Sequence, residues 1–147
     1  MKWYIAQYIM DKSIFLQVGV KIFLKNKKGK YLLLKRSQVV YPQLKNQWDI
    51  PGGRIIPGTS LPENLQREVS EETKLKIIGI PTLLYAQDII RGKEKHIVRL
   101  SFKGRAEGEP VLNEEHTEYL WCSIKEMKKV SGLDDFTREV IEKGLIK

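Results

Sequence analysis

Three glutamates are crowded into the segment REVSEET, at positions 67–73 of this 147-residue chain. If the segment is helical, Glu68, Glu71 and Glu72 fall within little more than one turn. Like charges three and four residues apart on a helix repel by roughly a few tenths of a kcal/mol. The chain as a whole is basic, with a formal net charge of +8. The local excess of carboxylates therefore indicates a function that needs negative charge at this place.

The helix that carries these glutamates is predicted to run from about residue 61 to residue 73. The preceding letters SLPE have the Ser-x-x-Glu spacing of a capping box, and Pro62 is tolerated in a first turn. At about 100° per residue, one apolar stripe forms the packing face, and it contains Leu61, Leu65 and Val69. Glu72 falls within about 20° of the centre of this stripe. Glu68 lies at the edge of the stripe, and Glu71 lies outside it, farther around the helix.

A charge run on a helix is usually a solvated face, but here that interpretation would leave Glu72 in the packing stripe. A buried carboxylate costs several kcal/mol unless it is paired or binds a metal. Arg67 is a single cation against three anions, so a divalent metal is the better counter-ion. Oxygen ligands favour Mg²⁺ or Mn²⁺, whereas zinc would recruit His or Cys, and neither is near. The face expected to contact water contains Glu63, Gln66, Arg67, Ser70 and Lys74.

The segment from Gly53 to Leu75 resembles the signature of the Nudix hydrolases, G-x5-E-x7-R-E-U-x-E-E-x-G-U, in which U is aliphatic. Seven residues match the pattern: Gly53, Arg67, Glu68, Val69, Glu71, Glu72 and Leu75. The flanking sequences WDIPGG (48–53) and EEHTEYLWCSIKEM (114–127) also resemble that family. Thr59 stands where the family has its first glutamate, which leaves the partner of Arg67 open. Lys74 stands where the family has glycine, and a left-handed lysine there would cost about 1 kcal/mol.

The resemblance implies a metal site and a reaction. It implies that Glu68, Glu71 and Glu72 bind magnesium, with manganese as the other candidate ion and the backbone carbonyl of Gly52 as a further ligand. Arg67 would orient these groups. The implied reaction is hydrolysis of the diphosphate linkage in a nucleoside triphosphate or a nucleoside diphosphate derivative, which releases a nucleoside monophosphate or its equivalent.

The same resemblance suggests a general base and phosphate contacts. Some family members place the base on the signature helix and others on a later loop, where Glu115 is the candidate here, with Glu114 beside it. Lys35 and Arg36, at the end of a predicted strand, are the expected phosphate contacts. ADP-ribose and dinucleoside polyphosphate hydrolases typically have proline or tyrosine about sixteen residues past the signature, whereas this chain has Arg91. The absence of proline or tyrosine at this position favours nucleoside triphosphates.

The order of predicted elements favours a mixed α/β sandwich over a doubly wound parallel sheet. Strands are predicted at 15–24, 31–34, 76–88, 95–104 and 118–123, and short helices are predicted from 124 and from 133. The first two strands, joined by KNKKGK, are expected to form a hairpin. The resemblance implies the Nudix fold, an α+β structure with an α/β/α sandwich around a mixed sheet. Residues 1–147 are expected to form one domain.

Composition narrows the functional classes. The first sixteen residues lack the uninterrupted apolar stretch of a signal peptide, and no run approaches the roughly 18 apolar residues of a membrane span. The lone Cys122 excludes an internal disulfide and is expected to lie in the core, which fits a cytoplasmic protein. Trp48 is expected to support packing. His96 and His116 are not selected as site residues, and base recognition by Asp134 or Asp135 is a secondary interpretation.

The basic surface favours an anionic partner such as a nucleotide. Its lysines are dispersed and not interleaved with aromatic residues, so nucleic-acid binding is less favoured. Two alternatives stay open: a Nudix-fold protein that senses a nucleotide without cleaving it, and an RNA-binding or decapping protein. A homodimer is also left open. Turnover of nucleotides would exclude the sensor, and a steep salt dependence of RNA affinity would support the RNA-binding protein.

Overall fold

The computed structural model describes residues 14–147. Within this range the strands are β1 (Phe15–Lys25), β2 (Tyr31–Arg36), β3 (Trp48–Asp49), β4 (Gly52–Arg54), β5 (Ile77–Arg91), β6 (Lys95–Ala106) and β7 (His116–Cys122). The helices are α1 (Leu61–Thr73), α2 (Ile124–Met127) and α3 (Asp135–Glu142). None of the helices in the described part of the chain is both long enough and apolar enough to cross a membrane.

The strands form one mixed sheet. Its main order is β3-β2-β1-β6-β5, with β4 paired to β1 and β7 paired to β2. Strands β1 and β6 are parallel, whereas the other pairs are antiparallel. The predicted hairpin is confirmed, since β2 pairs with the end of β1 at Lys25 and Tyr31. On the same edge of β1, β4 pairs with Gly19–Lys21. The Pro-Gly-Gly segment is thus inserted where β2 diverges from β1.

Both faces of the sheet are covered, which confirms the α/β/α prediction. Alternate residues of β1 and β2 point to opposite faces, as strand geometry requires. One buried cluster joins the sheet to α1 and contains Val20, Ile22, Leu24, Leu32, Leu34, Leu65 and Val69. The other joins it to α2 and α3 and contains Phe23, Tyr31, Leu33, Met127, Val140 and Ile141. Cys122 lies in this second cluster and Trp48 packs against it, both as predicted.

Helix α1 begins and ends as its sequence predicts. The Ser60 hydroxyl accepts a hydrogen bond from the backbone N–H of Glu63, and the Glu63 carboxylate accepts one from Ser60, which completes the capping box. At the other end, Lys74 has φ of 60°. Among residues 14–147 it is the one non-glycine residue with positive φ. A side chain in this left-handed position costs about 1 kcal/mol relative to glycine.

The structure differs from the sequence predictions at several places. No strand is predicted from the sequence between residues 35 and 75, but the segment WDIPGGR (48–54) contains the short strands β3 and β4. The helix predicted from residue 133 begins at Asp135, with Asp134 as its N-cap. Gln66 was expected to face water but is half-buried, because β5 starts over it and the backbone N–H of Ile77 donates to its amide oxygen at 2.9 Å.

Candidate active site

A cavity of about 480 Å³ opens where α1, β4 and the N-terminal end of α3 meet the sheet. Its wall is acidic on the α1 side, where it contains Glu68 and Glu72. Elsewhere the wall is largely basic, with Lys21, Arg36, Arg54, Arg91, Lys95 and Arg99. The apolar part of the wall is formed by Leu44, Ile89, Ile97 and Phe136. One cavity thus combines carboxylates, cations and an apolar surface.

The three signature glutamates differ in burial in the order that helical geometry predicted. Glu72 is 4% exposed, and its carboxylate accepts a hydrogen bond from the backbone N–H of Gly52 at 3.4 Å. The side chain of Glu68 is 13% exposed and also lines the cavity. The side chain of Glu71 is 55% exposed, does not line the cavity and accepts from Arg67 Nη1 at 3.2 Å. The structure therefore brings Glu68 and Glu72 together and directs Glu71 towards Arg67.

The space beside Gly52 and Gly53 is filled by neighbouring groups. A Cβ atom added to Gly53 would lie 2.6 Å from Glu68 Cδ, and one added to Gly52, whose φ is 139°, would lie 2.0 Å from the carbonyl oxygen of Val20. Both distances are shorter than any real van der Waals contact. Gly53 therefore allows the backbone to approach the Glu68 carboxylate closely, and Gly52 allows β4 to approach the backbone of β1.

The electrostatic environment of Glu72 is unfavourable for its charged form. Burial raises the pKa of the Glu72 carboxyl to about 8, and the nearby carboxylates of Glu68 and Glu115 act in the same direction. Lys21 and the Gly52 N–H oppose this rise and do not cancel it. An additional positive charge beside Glu68 and Glu72 would return the carboxyl to its ionised form.

The oxygen atoms at this end of the cavity fit a hard divalent cation. Glu68 and Glu72 provide carboxylates, and the carbonyl oxygen of Gly52, which accepts from Lys21 Nζ at 3.3 Å, lies beside them. In residues 14–147, no three His, Cys, Asp or Glu side chains are arranged to hold a metal ion. Arg67 Nη1 pairs with Glu68 at 2.9 Å and with Glu71 at 3.2 Å, and Glu71 is held outside the cavity. Glu71 would have to leave this ion pair to join the other two carboxylates.

The cations of the cavity wall are held by a buried carboxylate. Asp49 is 3% exposed, and its oxygens pair with Lys21 at 2.9 Å and with Arg36 and Arg99 at 3.2 Å each. Thr137 Oγ1 donates to the same carboxylate at 2.6 Å. Burial alone would raise the pKa of Asp49, but the three cations outweigh it and hold this pKa well below its usual range. Asp49 thereby fixes three positive groups against the cavity.

Of the two loop glutamates, Glu115 lies at the cavity and Glu114 is exposed away from it. The Tyr41 hydroxyl donates to Glu115 Oε1 at 3.2 Å. His116 also lines the cavity, and its Nε2 lies 4.0 Å from Glu72 Oε2. Burial, followed by the charges of Lys21 and Arg36, lowers the pKa of His116 to about 4, so this imidazole is neutral at pH 7.

The two predicted phosphate contacts lie in different environments. Arg36 lines the cavity, whereas Lys35 does not. Residues alternate between the two faces of a strand, and Lys35 Nζ pairs with Glu118 at 2.7 Å. At the cavity mouth, Arg54, Arg91 and Lys95 have no carboxylate partner within residues 14–147. Partial burial and then the charges of the two arginines lower the pKa of Lys95.

Sequence reasoning did not select Lys21, Arg99 or His116 as site residues. Lys21 and Arg99 are single charges within apolar strand sequences, and such isolated charges are the signal that could have identified them. His116 offers no comparable signal, because a lone histidine in a polar loop is usually solvated. Arg91, noticed only for its position after the signature, lies at the cavity mouth.

The comparisons with known proteins identify the family and the fold. A profile of the NUDIX domain matches residues 15–143. Nucleoside triphosphatase NudI of Escherichia coli strain K12 is 31% identical over 131 residues, covering 80% of this chain and 90% of that protein. The crystal structure of MutT protein from Methanosarcina mazei Go1 has a TM-score of 0.75 and 29% identity, over 88% of this chain and 93% of that chain.

A second solved structure has the same fold at lower identity. The solution structure of the Escherichia coli ORF135 protein has a TM-score of 0.71 and 22% identity, covering 88% of this chain and 89% of that chain. The matched region includes all described helices and strands and the whole glutamate signature. This chain therefore belongs to the Nudix hydrolase family and has its MutT-like α+β fold.

Proposed function

We propose that this Nudix hydrolase is a magnesium-dependent pyrophosphohydrolase that cleaves nucleoside triphosphates to a nucleoside monophosphate and pyrophosphate. The observation that carries the proposal is the joint presence of Glu68 and Glu72 with a largely basic wall in one cavity. The two carboxylates need a cation beside them, and the basic residues of the wall need an anion. A polyphosphate with its magnesium ion meets both needs. The nucleoside triphosphatase relative, which matches most of the chain, supports this substrate class.

Glu68, Glu72 and the carbonyl of Gly52 would hold the metal, with Glu71 joining them on release from Arg67. When bound, magnesium neutralises phosphate charge and lowers the pKa of a water ligand. All-oxygen ligation and retained waters suit magnesium better than zinc. Manganese shares these preferences and is the natural substitute.

The cations of the cavity bind and orient the substrate. Lys21, Arg36 and Arg99 are fixed by Asp49, so they present positive charge without losing further side-chain entropy on binding. The remaining wall, with Ile97 and Phe136, offers an apolar surface for the nucleoside. Because phosphoryl transfer depends mainly on positioning and charge neutralisation, such a site needs no nucleophilic side chain.

Glu115 is the proposed general base. Its carboxylate lies at the cavity and near enough to Glu72 to affect that residue's pKa. It would accept a proton from the attacking water, whose oxygen forms a bond to phosphorus while the bridging phosphorus–oxygen bond breaks. The Tyr41 hydroxyl donates to Glu115 and fixes the orientation of its carboxylate.

The experiment is a product analysis with purified protein. The eight common ribo- and deoxyribonucleoside triphosphates, together with ADP-ribose, are incubated with Mg²⁺, and products are separated by ion-exchange chromatography. We expect a nucleoside monophosphate and pyrophosphate from at least one triphosphate. Glu72→Gln and Glu115→Gln should lower kcat by at least about 100-fold, consistent with loss of a metal ligand or a general base.

Glu142→Gln is the matched control, because Glu142 is exposed on α3 and does not line the cavity. It should retain wild-type activity. Release of inorganic phosphate and a nucleoside diphosphate would contradict the proposed bond. Binding of nucleotides with no turnover would replace the hydrolase with a nucleotide sensor.

A further inference from the structure

Asn64 is completely buried in α1, and its side chain makes four hydrogen bonds, three with the segment before the helix and one with Arg67. Its Oδ1 accepts from the backbone N–H of Ile56 at 2.9 Å and from Arg67 Nη2 at 3.3 Å. Its Nδ2 donates to the carbonyl oxygens of Thr59 at 3.0 Å and Ser60 at 2.7 Å. A buried amide with its donors and acceptors satisfied fixes the groups around it.

The segment that Asn64 holds is the β4–α1 loop, residues 55–60. The loop is attached to β1 by the N–H of Ile55, which donates to the Val18 carbonyl at 2.9 Å. Thr59 takes part through its backbone, since its N–H donates to Ile56 and its carbonyl accepts from Asn64. The Asn64 side chain is thus the bridge between the middle of this loop and α1.

Asn64 also holds Arg67, which touches two signature glutamates. Arg67 Nη2 donates to the carbonyl of Arg54 at 2.9 Å as well as to Asn64. Its Nη1 pairs with Glu68 at 2.9 Å and with Glu71 at 3.2 Å. Within residues 14–147, Arg67 Nε is buried without a hydrogen-bond partner. Besides the two carboxylates, the guanidinium is therefore held by the acceptors that Asn64 and Arg54 provide to Nη2.

We propose that Asn64 is a positioning residue for the acidic end of the cavity. It fixes Arg67, and Arg67 in turn holds the carboxylate of Glu68 at the cavity and keeps Glu71 beside it, from where Glu71 would move to a bound metal. In this chain Asn64 provides the support that the family pattern assigns to a glutamate at position 59, so that Thr59 does not leave Arg67 without a partner. This inference rests on the proposed metal-dependent function, because it concerns the placement of two of the proposed ligands.

The first test measures Mn²⁺ affinity by electron paramagnetic resonance in Asn64→Ala. We expect affinity to fall by about tenfold, in the range typical for residues that orient metal ligands, and kcat to fall while KM for the nucleotide changes less than twofold. Amide hydrogen exchange at Ile56 should become faster. Gln66→Ala is the matched control, because Gln66 is half-buried on the same helix and makes its bonds to Ser70, Leu75 and Ile77 instead of the loop.

The second test introduces Thr59→Glu. In the Asn64→Ala background it should restore Mn²⁺ affinity to within about threefold of the wild type, because the new carboxylate replaces the lost acceptor for Arg67. In the wild-type background it should change affinity by less than about threefold, since Arg67 already has its support. This single variant keeps Asn64 and therefore tests the proposal even if Asn64→Ala does not fold.

Two results would overturn the inference. One is a loss of stability in Asn64→Ala with unchanged Mn²⁺ affinity, as expected for Gln66→Ala. The other is an increase of tenfold or more in affinity or kcat for Thr59→Glu alone, which would mean that Arg67 lacks support in the natural chain. Failure of the wild-type protein to bind Mn²⁺ would instead refute the proposed function. Hydrogen exchange at Ile56 and the position of the Arg67 guanidinium resonances would still test Asn64.

Discussion

Replacement of Glu72 by glutamine should change how stability depends on pH. The pKa of this carboxyl rises from its ordinary value of 4.5 to about 8 on folding, because the side chain is buried beside Glu68 and Glu115. Without metal, the folded state therefore holds the proton more tightly than the unfolded state. The free energy of unfolding then falls as pH rises from 4.5 to 8, by at most about 1.4 kcal/mol per pH unit.

The expected magnitude follows from these two pKa values. Between pH 5.5 and 7.5 the contribution of Glu72 to the free energy of unfolding should fall by about 2–3 kcal/mol. His116 acts in the opposite direction, because its lowered pKa of about 4 makes stability increase as pH rises from 4 to 6.5. Both proteins contain His116. Its contribution is therefore removed when the free energy of unfolding of the Glu72→Gln protein is subtracted from that of the wild type.

The assay is urea denaturation in EDTA at pH 5.5 and 7.5, followed by circular dichroism. We expect Glu72→Gln to gain about 2–3 kcal/mol over the wild type when the pH is raised between these values. Glu142→Gln should show no such change. Excess Mg²⁺ at pH 7.5 should stabilise the wild type and leave Glu72→Gln unchanged. If the difference in the free energy of unfolding between the two proteins changed by less than about 0.5 kcal/mol from pH 5.5 to pH 7.5, the assignment of a raised pKa to Glu72 would be refuted.

Three further substitutions test the elements that hold the site. Lys74→Gly should raise the free energy of unfolding by about 1 kcal/mol, because it removes the left-handed side chain at the end of α1; thermal denaturation measures this, and an unchanged or lower midpoint would contradict it. Ser60→Ala should lower the free energy of unfolding by about 1 kcal/mol, because it removes the capping box of α1. Ser123→Ala removes the corresponding cap of the short α2, and an equal loss there would show that the effect does not depend on which helix is capped. Asp49→Asn should lower stability by about 3–5 kcal/mol because it leaves Lys21, Arg36 and Arg99 without their shared anion; urea denaturation at pH 7 would contradict this if the loss were below 1 kcal/mol.

The local features of the fold could be predicted from the sequence because their causes are local. The capping box of Ser60, the packing stripe of Leu65 and Val69, and the different burial of Glu72 and Glu71 all follow from residues within one helix. The left-handed position of Lys74 also follows from its place after the last helical turn.

Apart from Arg36, the basic side of the cavity could not be predicted, because it depends on contacts between residues far apart in the chain. The Asp49 carboxylate accepts hydrogen bonds from Arg99, 50 positions away in the sequence, and from Thr137, 88 positions away. These residues meet because β6 runs parallel to β1 and α3 packs over the same face of the sheet. The pairing of Arg67 with Glu71 is a local i,i+4 contact, but helical angles do not show which of several partners a side chain binds, and Arg67 also pairs with Glu68.

Calorimetric titration with Mg²⁺ at pH 7.5, in the presence of a triphosphate analogue with a methylene bridge between the α- and β-phosphates, tests the central claim most directly. We predict saturable uptake of metal by the wild type and by Glu142→Gln, and loss of this uptake in Glu68→Gln and Glu72→Gln. Equal uptake by all four proteins, or no uptake by the wild type, would contradict the claim that these buried carboxylates exist to bind a divalent ion.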